Sequence, residues 1–203
     1  MLLPVIDGVY WWQALQLELK RHINGYIVMT KVGPIMIDPP SSAEPILRGI
    51  EALGKPRAII LTGVRQQRRA AQYQAWYGAK VFAPEKDKRQ LTIKADHYYR
   101  SGETLPGGFL SVGLSYGRSP GESALFHAKS RLLCASHLVG DPPGYVQMQE
   151  QGLYRNFSRA FEEQISLLEL DFDTLLPGRG KPLAKDARLT MAKYLAGYGE
   201  TEA

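Results

Sequence analysis

The chain has 203 residues, 44% hydrophobic and 22% charged, with 20 glycines and 13 prolines, the profile of one globular domain or two very small ones at the usual ~100–200 residues per domain. Its 25 Lys and Arg against 20 Asp and Glu leave a formal charge of +5; apart from Arg68-Arg69 and Lys86-Asp87-Lys88-Arg89 the basic residues are dispersed, so a solvated face is expected rather than a nucleic-acid tail. The single cysteine, Cys134, excludes an intramolecular disulfide or a Cys-rich zinc module, and neither a signal-peptide run before Asp7 nor a stretch near the ~18 apolar residues of a membrane helix is present, so a cytoplasmic protein is expected.

Val9, Trp11, Leu15, Leu17 and Leu19 alternate with Gln16, Glu18 and Lys20, the period of a half-buried strand. Asn24-Gly25 follows, a dipeptide that accepts positive φ at both positions, and predicts a hairpin turn with Tyr26-Ile27-Val28-Met29 as the return strand. Pro34 to Ile37 is a third short strand ending in the loop Asp38-Pro39-Pro40, so the first 38 residues read as an antiparallel meander. Ser41 or Ser42 then caps a helix whose face is Ile46, Leu47, Ile50 and Leu53, and Gly54 stops it.

Ala58-Ile59-Ile60-Leu61 is fully apolar, as a central strand is. A helix is predicted from Gln66 to about Tyr77 with Ala70, Tyr73, Trp76 and Tyr77 inward, followed by a strand at Lys80-Val81-Phe82. Beyond a charged stretch from Pro84 to Glu103, strands are predicted at 109–114, 122–128 and 131–136, a helix at 157–168, a last strand at 172–176 and a helix near 187–195. Strands first and mixed units after imply two packed sheets with helices outside. Loops just past strand ends carry function in such folds, which singles out Asp38, the segment Thr62 to Arg68, Ser119-Pro120-Gly121-Glu122, and Leu176-Pro177-Gly178-Arg179-Gly180.

Six pieces in order, Asn24-Gly25-Tyr26, Ile37-Asp38, Leu61-Thr62, Ser119-Pro120-Gly121, Leu132-Leu133 and Leu176-Pro177-Gly178-x-Gly180, give a chain that resembles the metallo-β-lactamase fold family over nearly its whole length. The resemblance implies an α/β fold, a four-layered αββα sandwich, as a single domain over residues 1–203. It also implies a site for one or two metal ions, usually zinc, held by a His-x-His-x-Asp-His motif after Leu-Thr. Here Gly63, Arg65, Gln67 and Arg68 stand at those places, Glu122 replaces the next histidine, His137 aligns with the bridging aspartate, and Arg179 replaces the last histidine.

Arginine is a permanent cation with no lone pair to offer, so no metal and no metal-activated water are expected there, and the hydrolase chemistry of the family is expected to be lost. Three functions follow. In the first, the protein is a non-catalytic scaffold or interaction subunit whose Arg65, Arg68 and Arg179 are locked in ion pairs with Glu122 and Asp38. In the second, the same arginines with His137 leave the pocket at about +1 to +2 and bind an anion such as phosphate, a nucleotide or a phosphorylated metabolite. The third is a residual hydrolase with His137 as general base oriented by Glu122 or Asp38. The partners expected are a small anionic ligand, another protein or a second copy of the chain, with no membrane and no nucleic acid. His22, His97 and His127 have no ligand-spaced partner, and Cys134 reads as a small buried hydrophobe. Of Trp11 and Trp12, which point to opposite strand faces, one is expected to be exposed.

Overall fold

The computed structural model describes residues 1–17 and 20–201; Glu18 and Leu19, which the alternating pattern assigns to the first strand, lie outside them. Four strands, β1 (Leu3–Ile6), β2 (Val9–Gln16), β3 (Arg21–Thr30) and β4 (Gly33–Ile37), run antiparallel in chain order. The sheet continues in parallel through β5 (Ala58–Ile60), β6 (Lys80–Pro84) and β7 (His97–Tyr99). A second sheet runs in the order β12 (Gln147–Met148), β11 (Leu132–Gly140), β10 (Ser123–His127), β9 (Phe109–Gly113) and β8 (Thr104–Leu105), and β13 (Thr174–Gly180) lies parallel to β11.

Helices α1 (Glu44–Leu53) and α2 (Ala70–Tyr77) cover the outer face of the first sheet, and α3 (Phe157–Leu167) and α4 (Ala187–Thr201) that of the second. Three apolar layers result. Ile35, Ile37, Ile60, Phe109, Leu125 and Leu176 fill the space between the sheets; Ile46, Ile50 and Tyr73 pack one helix layer down, and Ala160, Leu167, Met191 and Leu195 the other. The chain is therefore the expected αββα sandwich.

Trp11 faces the layer between the sheets and Trp12 the α1/α2 layer, and both are buried. The expected exposed tryptophan does not exist, because a sheet covered on both faces has no wet side for its alternation to mark. The first helix is capped by Ala43 without a side-chain bond rather than by serine, begins with Glu44 and Pro45, and stops at Gly54, whose φ is +105°. The helix predicted from Gln66 is two pieces, a short 3-10 turn at Val64–Gln66 and then α2. The break falls at Arg68, which has φ +32°. Ala70 and Tyr73 are buried as expected, while Trp76 is 48% exposed.

Asn24-Gly25 is not a turn. It sits mid-strand in β3, with Gly25 opposite Trp12, and the chain reverses instead between Gln16 and Arg21. Glycine is needed for space rather than for a positive φ: a Cβ on Gly25 would lie 2.3 Å from Pro40 Cδ and 2.8 Å from Trp12 Cζ2. Gly178 is tighter, since its Cβ would stand 1.9 Å from the Ser136 carbonyl oxygen, where the β11–β13 pairing loses register between Ala135 and Val139. Gly178→Ala is expected to lose about 3 kcal/mol or more of unfolding free energy in urea, because backbone rather than a flexible side chain must yield. Gly152→Ala, with nothing within 4 Å of the added carbon, is expected to stay within about 0.5 kcal/mol of the parent.

Candidate functional site

The ends of β4 and β5 carry Asp38 and Thr62 side by side, as parallel strands place successive loops at one sheet edge. Asp38 adopts φ +48° and is buried. Its carboxylate accepts from the Thr62 backbone N–H at 2.8 Å and from the Thr62 hydroxyl at 2.6 Å. Burial raises Asp38 to about 6, against the pull of Arg68 and the Thr62 bonds. The Ser123 N–H donates to the Thr62 carbonyl at 2.8 Å, tying this edge to the second sheet.

Arg68 points back over the same edge. Its Nη1 donates to the carbonyls of Asn24 (2.8 Å) and Asp38 (2.9 Å), and its Nε is buried without a partner. It therefore meets Asp38 at the backbone rather than in a salt bridge. Burial lowers Arg68 to about 10, which leaves it charged at neutral pH.

Glu122 is buried and pairs with Arg118, a residue the sequence reading passed over. Arg118 Nε donates to Oε1 at 2.8 Å, its backbone N–H donates to Oε2 at 2.6 Å, and Nη2 completes the fork. Burial pushes the Glu122 carboxyl up, but the Arg118 guanidinium and its hydrogen bonds hold it below the ordinary range. Gln66, turned so that its amide oxygen faces the guanidinium, accepts from Arg118 Nη2 at 2.9 Å and from Ser136 Oγ at 2.7 Å, and donates to the Arg65 carbonyl at 2.9 Å. The signal for Arg118 was its place directly before Ser119-Pro120-Gly121 and four residues ahead of Glu122.

His137 lies inside β11 and is buried. The Gln164 amide donates to the Ala160 carbonyl at 3.0 Å, so its oxygen accepts from His137 Nε2 at 2.6 Å; His137 Nδ1 is then a bare acceptor with no partner. Burial lowers His137 from the ordinary histidine value, keeping it neutral. A ring so enclosed and turned toward α3 does not reach the cavity described next.

The last segment is held from the opposite sheet. The Asn24 amide nitrogen donates to the carbonyls of Pro177 and Gly180, both at 2.9 Å, and the Tyr26 hydroxyl donates to the Pro177 carbonyl. Arg179 is thereby presented half-buried, its Nε without a partner, and burial lowers it from the usual arginine value. A carboxylate missed in the sequence braces the other loops: buried Asp87 accepts from Val64 N–H (2.7 Å), Ser119 Oγ (2.7 Å) and Gly121 N–H (2.8 Å).

The loops enclose a cavity of about 320 Å³ whose charged lining is Arg21, Arg65, Arg68, Arg118 and Arg179, with Gln66, Ser136 and Gln149 among them and no Asp or Glu. Arg21, also unforeseen, enters from the β2–β3 reversal and pairs at the rim with Glu150 at 2.7 Å. Of the residues singled out in the sequence, Arg65, Arg68 and Arg179 line the cavity, while Asp38, Glu122 and His137 lie behind it.

A model of the metallo-beta-lactamase superfamily matches residues 5–196. The chain belongs to the metallo-beta-lactamase superfamily. Its fold is shared with solved structures at low identity: DIM-1 metallo-beta-lactamase (16% identity, TM-score 0.76, covering 100% of this chain and 98% of that one), a metallo-beta-lactamase family protein from Thermus thermophilus (15%, 0.69, 97% and 81%), and a metallo beta lactamase from Hirschia baltica (17%, 0.68, 96% and 97%). No curated protein matches the chain.

The family's metal does not fit the residues present. Among the described residues no three His, Cys, Asp or Glu side chains form a group that could hold a metal ion. Both Glu122 oxygens are taken by Arg118, His137 is turned away, and the remaining positions are Gly63, Gln67 and three guanidinium groups that repel a dication. No helix among the described residues is long and apolar enough to cross a membrane.

Asp38 sets a pH dependence. Its folded-state value of about 6 lies above the unfolded value, so its stabilising contribution is present in acid and lost as pH rises through 6. In urea titrations the stability of the parent relative to Asp38→Asn is expected to rise by about 1–2 kcal/mol between pH 7 and pH 5. A flat difference would mean that Asp38 ionises as freely as in the unfolded chain.

Proposed function

We propose that this protein is an anion-binding member of its superfamily that works without a metal, its ligand an oxyanion held by guanidinium groups where relatives are expected to hold metal. The observation that carries this reading is the 320 Å³ cavity lined by five arginines and no carboxylate. Guanidinium forks match tetrahedral or planar oxyanions two donors at a time, and their charge does not vary with pH in the physiological range. Holding Arg68, Arg118 and Arg179 together while each is at least partly withdrawn from water is costly unless an anion or counter-charge balances them.

A scaffold role with the cluster closed on itself draws less support. Among the described residues Arg118 pairs with Glu122 and Arg21 with Glu150, whereas Arg65, Arg68 and Arg179 form no salt bridge. Two of these three keep a buried Nε–H with no acceptor, donors that a bound oxygen would satisfy. Residual hydrolysis through His137 fares worst, since that ring is buried and bonded to Gln164.

Inorganic phosphate at a hundredfold excess over its dissociation constant is expected to raise the thermal midpoint by roughly 5 °C or more, ionic strength being matched with chloride. Arg65→Ala/Arg179→Ala is expected to abolish that shift; a shift that survives would place the anion elsewhere. Protein purified without chelator and equilibrated with zinc is expected to hold well under one zinc per chain by elemental analysis, and a stoichiometric count would overturn the metal-independent reading.

A further inference from the structure

The arginine cavity borders a second one. Arg21, Gln149 and Arg179 also line a second, larger cavity of about 780 Å³, whose outer wall is built from the second sheet and its helices. One wall of it is aromatic: Phe157 at the start of α3 and Tyr194 of α4 both line it and both contact the ring of Tyr198, at centroid distances of 5.7 and 6.1 Å. Tyr194 is fixed in place, its hydroxyl accepting from the Met148 backbone N–H at 3.1 Å. Arg179 stands between the two compartments.

Charge specifies what the inner compartment takes. Five guanidinium groups line it, and the carboxylates nearest to them are Asp38 and Glu122 behind the wall and Glu150 at the rim. With all three ionised, two positive charges remain. A phosphate monoester carries about −1.5 to −2 at neutral pH, against −1 for a carboxylate or a phosphodiester, so the monoester balances the site. Inorganic phosphate alone would leave the outer compartment and its ring wall unused.

Resting on the anion-binding reading above, we infer that the ligand is a phosphate monoester of a planar, ring-bearing alcohol, of the nucleoside monophosphate type. Its phosphate sits among Arg65, Arg68, Arg118 and Arg179, and its ring lies in the outer cavity against Phe157 and Tyr194. Stacking on an aromatic wall contributes about 1–3 kcal/mol per ring, some five- to 150-fold in affinity, which sets the scale of the test.

Isothermal titration of the full chain at fixed ionic strength with inorganic phosphate, ribose 5-phosphate, adenosine 5′-monophosphate and adenosine decides the matter. Adenosine 5′-monophosphate is expected to bind about tenfold more tightly than either smaller phosphate, and adenosine most weakly. Tyr194→Ala, checked for an intact melting transition, is expected to bring the nucleotide down to the affinity of ribose 5-phosphate while leaving inorganic phosphate unchanged. Phe157→Leu gives a second reading should the tyrosine variant fail to fold. Equal affinity for the three phosphates, or a nucleotide affinity untouched by both variants, overturns the ring site and leaves the anion site standing. Adenosine binding as tightly as its monophosphate overturns the phosphate anchor. Loss of all phosphate binding in the parent overturns both readings.

Discussion

A side-chain amide reaching across from one sheet to the backbone of the other holds the site together. Asn24 donates to the carbonyls of Pro177 and Gly180, and Tyr26 adds its hydroxyl to the Pro177 carbonyl. These carbonyls flank the point where β13 shifts register against β11, between the Ala135–Pro177 and Val139–Arg179 pairs. Without Asn24 the Gly180 carbonyl would lose its side-chain donor and the Pro177 carbonyl would keep only Tyr26, so the segment that presents Arg179 would be less firmly held. The same strand passes the Asn24 carbonyl to Arg68, so one residue positions an arginine on each side of the cavity.

This clamp also explains where the sequence was readable and where it was not. The αββα order follows from hydrophobic period and chain order, which act locally, and the strands and helices fall close to their expected places. Asn24-Gly25 misleads because the dipeptide has the same local preferences in a turn and in a strand. What decides is Pro40 and Trp12 crowding the position a Cβ would occupy, and that crowding is set by residues far along the chain. Arg118 and Arg21 were missed for a related reason: neither occupies a ligand position of the family pattern, and only the folded loops bring them beside Arg68 and Arg179. Conversely, His137 and Glu122 stand at ligand positions yet are spent on Gln164 and Arg118.

Guanidinium groups and a metal ion offer different chemistry at such an edge. A bound dication concentrates charge at a point, polarises its ligands and lowers the pKa of a coordinated water. Guanidinium groups spread their charge over planar forks and donate hydrogen bonds in fixed directions, and they generate no metal-bound hydroxide. They suit recognition, in which several oxygens of one group are counted and oriented. Asp38 keeps a place beside them, held by Thr62 and lifted by burial to about 6, so acidification makes the cluster more cationic. The edge of the sheet that concentrates loops in this architecture is retained, and arginines line the cavity there.

Asp87 gives the arginine loops a mechanical property. One buried carboxylate accepts from Val64 on the loop that bears Arg65 and Arg68, and from Ser119 and Gly121 on the turn that bears Arg118. The two loops come from opposite sheets, yet they cannot separate without stripping that carboxylate of its donors inside the protein. They are held as one unit, and Arg68 joins that unit to Asn24, which clamps the Arg179 segment. The arginines thus sit on loops that are already tied together, so less conformational freedom remains to be lost when the cavity is filled.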